Sequence, residues 1–291
     1  MTPGVGVNLS PVPPAELAEA AELAEALGFE SVWIGEHVII PWEWTSAYPY
    51  ADHPPLRPDF RFYDPFAALA HLGAVTSTIL LGTGVVILPL RDPFLTARSM
   101  VTADLLSGGR LLLGLGAGWL KEEYDVLGRD FASRGRRFDE ALEILDALST
   151  EERPEYRGAH FDLPASAFEP KPGPHLRPPF LLGGASPAAL RRVARYGDGW
   201  YGSRHPPREV AEIVERLKGL SDGRSLSITV GAVVGATLEE YQAAGADRVV
   251  VTPWARSSQW REGLAGCAQS LGLADGGASR RTEHRITVSA L

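Results

Sequence analysis

The chain has 291 residues, of which 45% are hydrophobic and 22% charged, a balance typical of a globular protein with a large core. Its net charge of -8 argues against nucleic acid or an anionic membrane surface as a partner, and no apolar run reaches the roughly 18 residues of a membrane-spanning helix. The single cysteine, Cys267, excludes an internal disulfide framework. We therefore expect a cytoplasmic protein in which Cys267 is buried as a small hydrophobic side chain.

Strand and helix patterns alternate along the chain. Short apolar runs predict strands at residues 5–9, 31–34, 79–88, 110–115, 180–182, 199–202, 226–233 and 248–251. Apolar residues at helical spacing predict helices at residues 17–27, 65–77, 93–106, 120–127, 133–148, 188–196, 207–220, 237–244 and 258–271. A short hairpin is predicted within residues 156–168.

Local turn and cap residues support these boundaries. Asp64-Pro65 and Asp92-Pro93 each combine an N-cap residue with proline at the first helical position, where the missing N–H costs nothing. Gly108 and Gly109 supply the positive φ angles that end a helix and reverse the chain. The run at 110–115 is almost unbroken in its apolar residues, as expected for a parallel strand that is covered on both faces.

Eight strands alternating with helices, without a linker-like break, predict one α/β domain over residues 1–273, folded as a (β/α)8 TIM barrel. On pattern alone, a doubly wound open sheet is the alternative. Long loops follow the second and fourth strands, at residues 35–63 and 119–178. The polar segment 274–291 is predicted to be a poorly ordered tail.

The loop after the second strand is far longer than the usual connection of about two to six residues. Loops of this length in a compact domain are usually functional or disordered. This one contains four aromatic residues near one another, Trp42, Trp44, Tyr48 and Tyr50. The aromatic residues favour an ordered lid over a disordered loop.

Candidate site residues follow three of the predicted strands, at the end of the barrel where active sites lie. They are Glu36-His37 after the second strand, Gly116-Ala117-Gly118 after the fourth and Gly183-Gly184-Ala185-Ser186-Pro187 after the fifth. A carboxylate beside an imidazole suits ligand binding or proton transfer, although such a pair also fits a structural role. The glycines of the fourth-strand turn expose backbone to a ligand, or serve close packing alone.

The turn after the fifth strand has two interpretations. Its glycines, hydroxyl and helix N-terminus are the components of a phosphate cradle. The same residues also make an ordinary strand-to-helix turn, with Ser186 as N-cap and Pro187 at the first helical position. Elsewhere the seven histidines are scattered without metal-ligand spacing, so no metal site is predicted.

Six motifs, in order, resemble the bacterial luciferase-like superfamily, and most closely its members that use the deazaflavin coenzyme F420. They are residues 31–37 (SVWIGEH), 81–85 (LGTGV), 105–119, 134–140 (RGRRFDE), 179–186 and 197–200 (GDGW). The resemblance extends from residue 5 to about residue 255. It implies a barrel with a flavin or deazaflavin ring over the carboxyl ends of the strands.

The resemblance also implies roles for individual residues. A non-proline cis peptide would fall at Gly84-Val85, against the cofactor ring, with Gly116 and Gly118 beside it. The cofactor phosphate would lie on Gly183, Gly184, Ala185 and Ser186. Glu36 and His37 would lie near the ring and the substrate, as catalytic residues.

One position departs from part of the superfamily. Its sugar-phosphate dehydrogenases carry a glutamate acid where this chain has Trp119, which cannot donate a catalytic proton. Sugar oxidation of that kind is therefore not expected. Instead we expect a small, apolar substrate that stacks on Trp119 and on the lid residues Trp42 and Trp44.

The resemblance thus predicts an oxidoreductase, acting as a homodimer, that transfers a hydride between F420 and a small organic substrate. Two alternatives stay open, an FMN-dependent monooxygenase on the same barrel and a flavin-binding protein without turnover. F420 carries an acidic oligoglutamyl tail, which a chain of net charge -8 must hold with local basic residues. The candidates are Arg91, Lys121 and Arg204, unless they are solvated surface charges.

Overall fold

The computed structural model describes residues 2–49, 56, 60–173 and 176–273, so the predicted tail at 274–291 lies outside the described residues. The described strands are β1 (Gly4–Asn8), β2 (Ser31–Ile34), β3 (Leu80–Thr83), β4 (Val86–Ile87), β5 (Leu111–Gly116), β6 (Tyr156–Arg157), β7 (Asp162–Leu163), β8 (Phe180–Gly183), β9 (Gly199–Gly202), β10 (Ser227–Gly231) and β11 (Arg248–Val251).

The described α-helices are α1 (Leu17–Ala26), α2 (Pro65–Val75), α3 (Pro93–Leu106), α4 (Lys121–Val126), α5 (Arg134–Thr150), α6 (Pro187–Tyr196), α7 (Pro207–Leu220), α8 (Leu238–Ala243) and α9 (Trp260–Leu271). Short 3-10 helices occur at Pro14–Glu16, Leu88–Leu90 and Ser257–Gln259. None of these helices is both long and apolar enough to cross a bilayer.

The parallel strands close into a barrel. Going round it, the order is β1, β2, β3, β5, β8, β9, β10 and β11, and β11 pairs back onto β1 with Val7 opposite Val251. Each of these eight strands is hydrogen-bonded to a neighbour on both sides, so the pairings form a ring and the sheet is closed rather than open. The predicted (β/α)8 barrel is therefore confirmed, and the doubly wound sheet is excluded.

The third barrel strand differs from its prediction. The expected continuous strand at 79–88 is divided into β3 and β4, which both pair with β5. Between them the Gly84-Val85 peptide bond is cis, at the position that the resemblance implied. The division between β3 and β4 lies at the end of the barrel where the candidate site lies.

Large side chains fill the barrel interior. Trp33 is 1% exposed and packs with its neighbour Tyr201, the two ring centres being 5.3 Å apart. Gly6 and Gly82 make room for the Trp33 ring, since a Cβ atom at either position would collide with it. A glycine inside a strand marks a bulge or a close approach, and Gly82 marks a close approach to the Trp33 ring. The interior is a packed core, so a ligand reaches the barrel only from one of its ends.

The helices are begun by the caps that the sequence predicted. Asp64 accepts a hydrogen bond from Ala67 N, Asp92 accepts from Phe94 N and Leu95 N, and proline follows each cap. The helices cover the outside of the strands with a second apolar core, which includes Cys267 at 4% exposure. The expectation of a buried cysteine is confirmed.

Candidate active site

A cavity of about 1290 Å³ lies at the carboxyl ends of the barrel strands. Every barrel strand contributes to its lining. Representatives are Ser10, Glu36, Gly84, Gly116, Gly184, Ser203, Ala232 and Thr252, at the ends of β1, β2, β3, β5, β8, β9, β10 and β11. The cavity is thus in the place where (β/α)8 barrels bind their ligands.

Glycine backbone forms much of the cavity wall. A Cβ atom at Gly116 would lie 2.7 Å from Val85 Cγ2, and one at Gly84 would lie 2.6 Å from the Tyr201 hydroxyl. Glycine at these positions lets the ends of β3, β5 and β9 approach closely and presents flat backbone to the cavity. The buried Tyr124 hydroxyl donates to Ala117 O at 2.5 Å and holds the turn that follows β5.

All residues that were predicted to lie at the cofactor ring or its phosphate line this cavity. They are Gly84, Val85, Gly116, Gly118, Gly183, Gly184, Ala185 and Ser186. Ser186 accepts a hydrogen bond from Ala189 N at 3.2 Å, so it does cap α6. Because the capped N-terminus of this helix also faces the cavity, capping and anion binding are compatible here.

His37 is held by a glutamate from a distant part of the chain. Its Nδ1 lies 2.8 Å from Oε2 of Glu123, in the first turn of α4. Within the described part of the chain, Nε2 makes no hydrogen bond, and His37 lines the cavity. The imidazole is therefore positioned through one nitrogen and can meet a ligand with the other.

Glu36 lines the cavity, as the sequence predicted, but other residues already bind its carboxylate. Its carboxylate is 2% exposed and already accepts hydrogen bonds at both oxygens, from Ile87 N at 2.8 Å and from Arg91 Nε at 2.7 Å. Arg91 also pairs with Asp64, at 2.6 Å. The structure does not support the catalytic role of Glu36, because its oxygens hold Arg91 and the start of β4.

The same contacts correct the prediction for Arg91. Its guanidinium is committed to Glu36 and Asp64 and does not line the cavity, so it is not free to hold an acidic tail. Lys121 lines the cavity edge but pairs with Asp125 at 2.5 Å. Arg204 lines the cavity with no ion pair among the described residues, and its backbone has a φ of 53°.

An aromatic wall, formed by Tyr48, Phe60, Phe62 and Trp119, stands beside His37 in the cavity. The centres of the Tyr48 and Trp119 rings are 5.1 Å apart, and His37 lies 5.1 Å from the ring centre of Phe62. Trp119 is thus where the sequence predicted it.

Two lid residues are not in this wall. Trp42 is 83% exposed, and neither it nor Trp44 lines the cavity. Their predicted contact with the substrate is not supported. Tyr50, the fourth aromatic residue of the predicted lid, lies outside the described residues.

Two further titratable side chains lie at the cavity. Tyr201 is buried between the cavity and the barrel interior, and burial raises the pKa of its phenol, so it stays neutral. Burial also lowers the pKa of His205, which packs edge-on against Trp200 with 5.2 Å between the ring centres. Among the described residues, no cluster of three or more His, Cys, Asp or Glu could hold a metal ion.

The residues present fit a flat, phosphorylated cofactor. Gly84 and Gly116 contribute backbone to the cavity wall, and a Cβ atom at either would collide with Tyr201 or Val85, so only glycine keeps this wall close to the strand ends. The N-terminus of α6 and the Arg204 guanidinium offer positive charge for a phosphate or an acidic tail. Four residues at this site, Glu123, Phe60, Phe62 and Tyr201, were not predicted from the sequence. Of these, only Tyr201 carried a signal, because it lies in a predicted strand.

Comparison with known proteins agrees with the fold. The sequence profile of the luciferase-like monooxygenase family matches residues 2–281. An uncharacterized protein of Mycobacterium tuberculosis is 36% identical over 206 residues, which cover 69% of this chain and 70% of that protein. A solved F420-dependent secondary alcohol dehydrogenase has the same fold, with a TM-score of 0.76 over 94% of this chain and 99% of that one, at 15% identity.

Relatives with named activities include enzymes of two kinds. The 4-hydroxyprotoasukamycin monooxygenase of Streptomyces nodosus is 32% identical over 65% of this chain and 47% of its own length. The F420-dependent glucose-6-phosphate dehydrogenase of Amycolatopsis mediterranei is 29% identical over 64% of this chain and 53% of its own length. The chain therefore belongs to the luciferase-like monooxygenase family of oxidoreductases, whose members here include F420-dependent enzymes and monooxygenases.

Proposed function

We propose that the chain is an F420-dependent oxidoreductase that moves a hydride between the deazaflavin and a small, mainly apolar organic substrate. The observation that carries this proposal is the position of His37. It lines the same cavity as the glycine backbone and lies beside the aromatic wall, with Nε2 free among the described residues. An acid–base group at the edge of an apolar pocket is what a hydride transfer to or from a carbon–oxygen bond needs.

The cofactor would be held by the glycine wall, meaning the backbone at Gly84 and Gly116, and by the turn after β8. Gly84 and Val85 would lie against the ring, and Gly183 to Ser186 would hold the phosphate at the N-terminus of α6. Arg204 would meet the acidic tail. When bound, F420 supplies the carbon that accepts or donates the hydride.

The chain's own residues supply orientation and proton transfer. His37 Nε2 takes the proton from a substrate hydroxyl when the substrate is oxidised, and returns it in the reverse direction. The wall formed by Tyr48, Phe60, Phe62 and Trp119 packs against the apolar part of the substrate and excludes water. Trp119 has no proton to give, so the wall favours an apolar substrate over a charged sugar phosphate.

An FMN-dependent monooxygenase is the second candidate. It is favoured by the family description and by the Streptomyces nodosus monooxygenase, which is more similar in sequence than the F420-dependent dehydrogenase. The glycine wall and the turn after β8 would hold FMN equally well, because FMN ends at its phosphate. The two candidates differ in what lies beyond the phosphate.

The deciding experiment titrates the purified protein separately with F420 and with FMN, at low and at high salt. We expect F420 to bind more tightly at low salt and its affinity to fall more steeply with salt than that of FMN, because exposed charge contacts are screened over about 8 Å at physiological ionic strength. Tight FMN binding without detectable F420 binding would reject F420 and support the monooxygenase. Binding of neither would reject both candidates.

A further inference from the structure

We propose that Glu123 is a positioning residue that fixes the tautomer of His37, so that the proton lies on Nδ1 and Nε2 carries the lone pair. Glu123 is separated from His37 by 86 positions in the sequence and does not line the cavity. It therefore acts on a ligand only through the imidazole. The expected effect on turnover rests on the proposed function. The expected tautomer of His37 depends only on its contact with Glu123.

The hydrogen bonds of Glu123 determine which of its two carboxylate oxygens faces His37. Oε1 accepts from Val38 N at 2.6 Å and from Ile39 N at 3.2 Å, which are the two residues that follow His37. Backbone N–H groups can only donate, so Oε1 must be an acceptor. Oε2 is left to face His37 Nδ1 at 2.8 Å.

Burial makes this arrangement persistent. The Glu123 side chain is 1% exposed, so water does not replace its partners. The His37 ring is in addition confined by Phe62 and Trp119, whose ring centres lie 5.1 and 6.2 Å away at steep angles. An ionised carboxylate has no proton to donate, so Nδ1 must carry the hydrogen of the pair.

The neighbouring Glu122 provides a matched control. It lies on the same helix and also binds the long loop, accepting hydrogen bonds from Thr45 N and from the Ser46 hydroxyl at 2.7 and 2.6 Å. It makes no contact with His37 in the described structure. Replacing Glu122 therefore loosens the loop without touching the imidazole, and replacing Glu123 affects the imidazole directly.

The Glu123→Gln variant should reverse the tautomer. The amide oxygen must take the place of Oε1, because Val38 N and Ile39 N still require an acceptor. The amide NH2 group then faces Nδ1, which must become the acceptor. The proton moves to Nε2, and the nitrogen that faces the cavity can no longer accept a proton from a substrate.

The experiment measures the 15N chemical shifts of the histidine ring nitrogens in the full chain, without cofactor, at a pH where His37 is neutral. The His37 signals are assigned by their loss in His37→Gln. We expect the Nδ1–H pattern in the wild type and in Glu122→Gln, and the Nε2–H pattern in Glu123→Gln. An Nε2–H pattern in the wild type would overturn the inference, whether or not any variant folds.

A kinetic measurement separates this inference from the proposed function. With F420 and a substrate that it turns over, kcat should fall by about 10²-fold or more in Glu123→Gln, with little change in F420 affinity. A reversed tautomer with unchanged kcat would support the positioning of His37 and reject its role as acid or base. An unchanged tautomer in a folded Glu123→Gln variant would overturn the positioning role itself.

Discussion

At each end of the barrel, a glutamate carboxylate binds backbone N–H groups of a loop, but the two glutamates differ in what else they hold. At the end opposite the cavity, Glu25 accepts hydrogen bonds from Ser77 N, Thr78 N and Ile79 N, at 2.6 to 3.1 Å, and so fixes the connection that leads into β3. At the cavity end, Glu123 collects the N–H groups of the loop after β2 in the same way.

The two groups of residues, around Glu25 and around Glu123, differ in whether a polar atom is left available to a ligand. Near Glu25, Arg110 donates to the carbonyl oxygens of Gly73, Thr76 and Ile79, so that polar groups there satisfy one another. At the cavity end, Glu123 binds backbone N–H groups and His37 Nδ1, and His37 Nε2 has no hydrogen bond to any residue that the structure describes. A carboxylate that binds backbone is therefore ordinary in this barrel, and the functional end is distinguished by the group that stays available.

The largest effect should come from adding charge to the cavity end. Gly183 has no positive φ, and the nearest atom to a Cβ there is 3.4 Å away, so a side chain fits without backbone strain. In Gly183→Asp the new carboxylate would face the cofactor phosphate, and repulsion at about 4 Å with an effective dielectric of about 20 is roughly 4 kcal/mol. F420 affinity should fall about 10³-fold.

Gly183→Asn is the control for that substitution, because it has the same shape without the charge. We expect it to keep most of the affinity in a fluorescence titration. Equal losses in the two variants would indicate a steric effect, and unchanged affinity in a folded Gly183→Asp would contradict the phosphate assignment.

A second substitution tests whether Glu36 is structural. In Glu36→Ala, Arg91 loses a partner that is 2% exposed, and removing one side of a buried ion pair typically costs about 3 kcal/mol or more. We expect the free energy of unfolding, measured with urea, to fall by about 3 kcal/mol. Asp125→Ala, which breaks an exposed pair with Lys121, should cost well under about 1 kcal/mol. A stable Glu36→Ala with lost turnover would instead restore the catalytic role.

His37→Ala should have the opposite profile. Turnover should fall by about 10²-fold or more, the usual contribution of a general acid or base, with cofactor affinity changed little. Steady-state kinetics and a cofactor titration on the same preparation check this. Nearly full activity would show that His37 only anchors the loop.

The smallest effect is expected at the opposite end, from Glu25→Gln. Partial burial alone would raise the pKa of Glu25, but hydrogen bonds from Thr78, Ile79 and Ser77 outweigh it and lower the pKa from 4.5 to about 2. A lowered folded-state pKa stabilises above the unfolded value and loses that effect as the pH falls. The variant should be less stable than wild type near neutrality by about 1 kcal/mol or less, and the gap should close between pH 4.5 and 2. A gap that does not depend on pH would contradict this.

The features that the sequence predicted correctly depend on neighbouring residues. Asp64-Pro65 begins a helix and Gly108-Gly109 reverses the chain, with φ angles of 72° and 81°, because caps and tight turns are determined within a few positions. The alternation of strands and helices then leads to the barrel. The cis bond at Gly84-Val85 could be expected only from the resemblance.

The features that were missed depend on residues far apart in the chain. The pairing of His37 with Glu123 and of Glu36 with Arg91 joins residues 86 and 55 positions apart, and no local pattern marks either partner. Composition showed that the long loop is aromatic but not which of its side chains face the cavity. That is why Trp42 was expected in the wall and Tyr48 is there instead.

The Arg91 guanidinium bears on how far the long loop beside the cavity can vary in sequence and length. Arg91, which lies between β4 and α3, binds Glu36 at the beginning of the long loop and Asp64 at its end, so one side chain holds both ends of the loop. Doubling the length of a flexible loop costs only about 0.6 kcal/mol, so the intervening segment can be replaced at little cost to the barrel. The part of the aromatic wall that this loop supplies, Tyr48, Phe60 and Phe62, can thus change while the glycine backbone of the cavity stays the same.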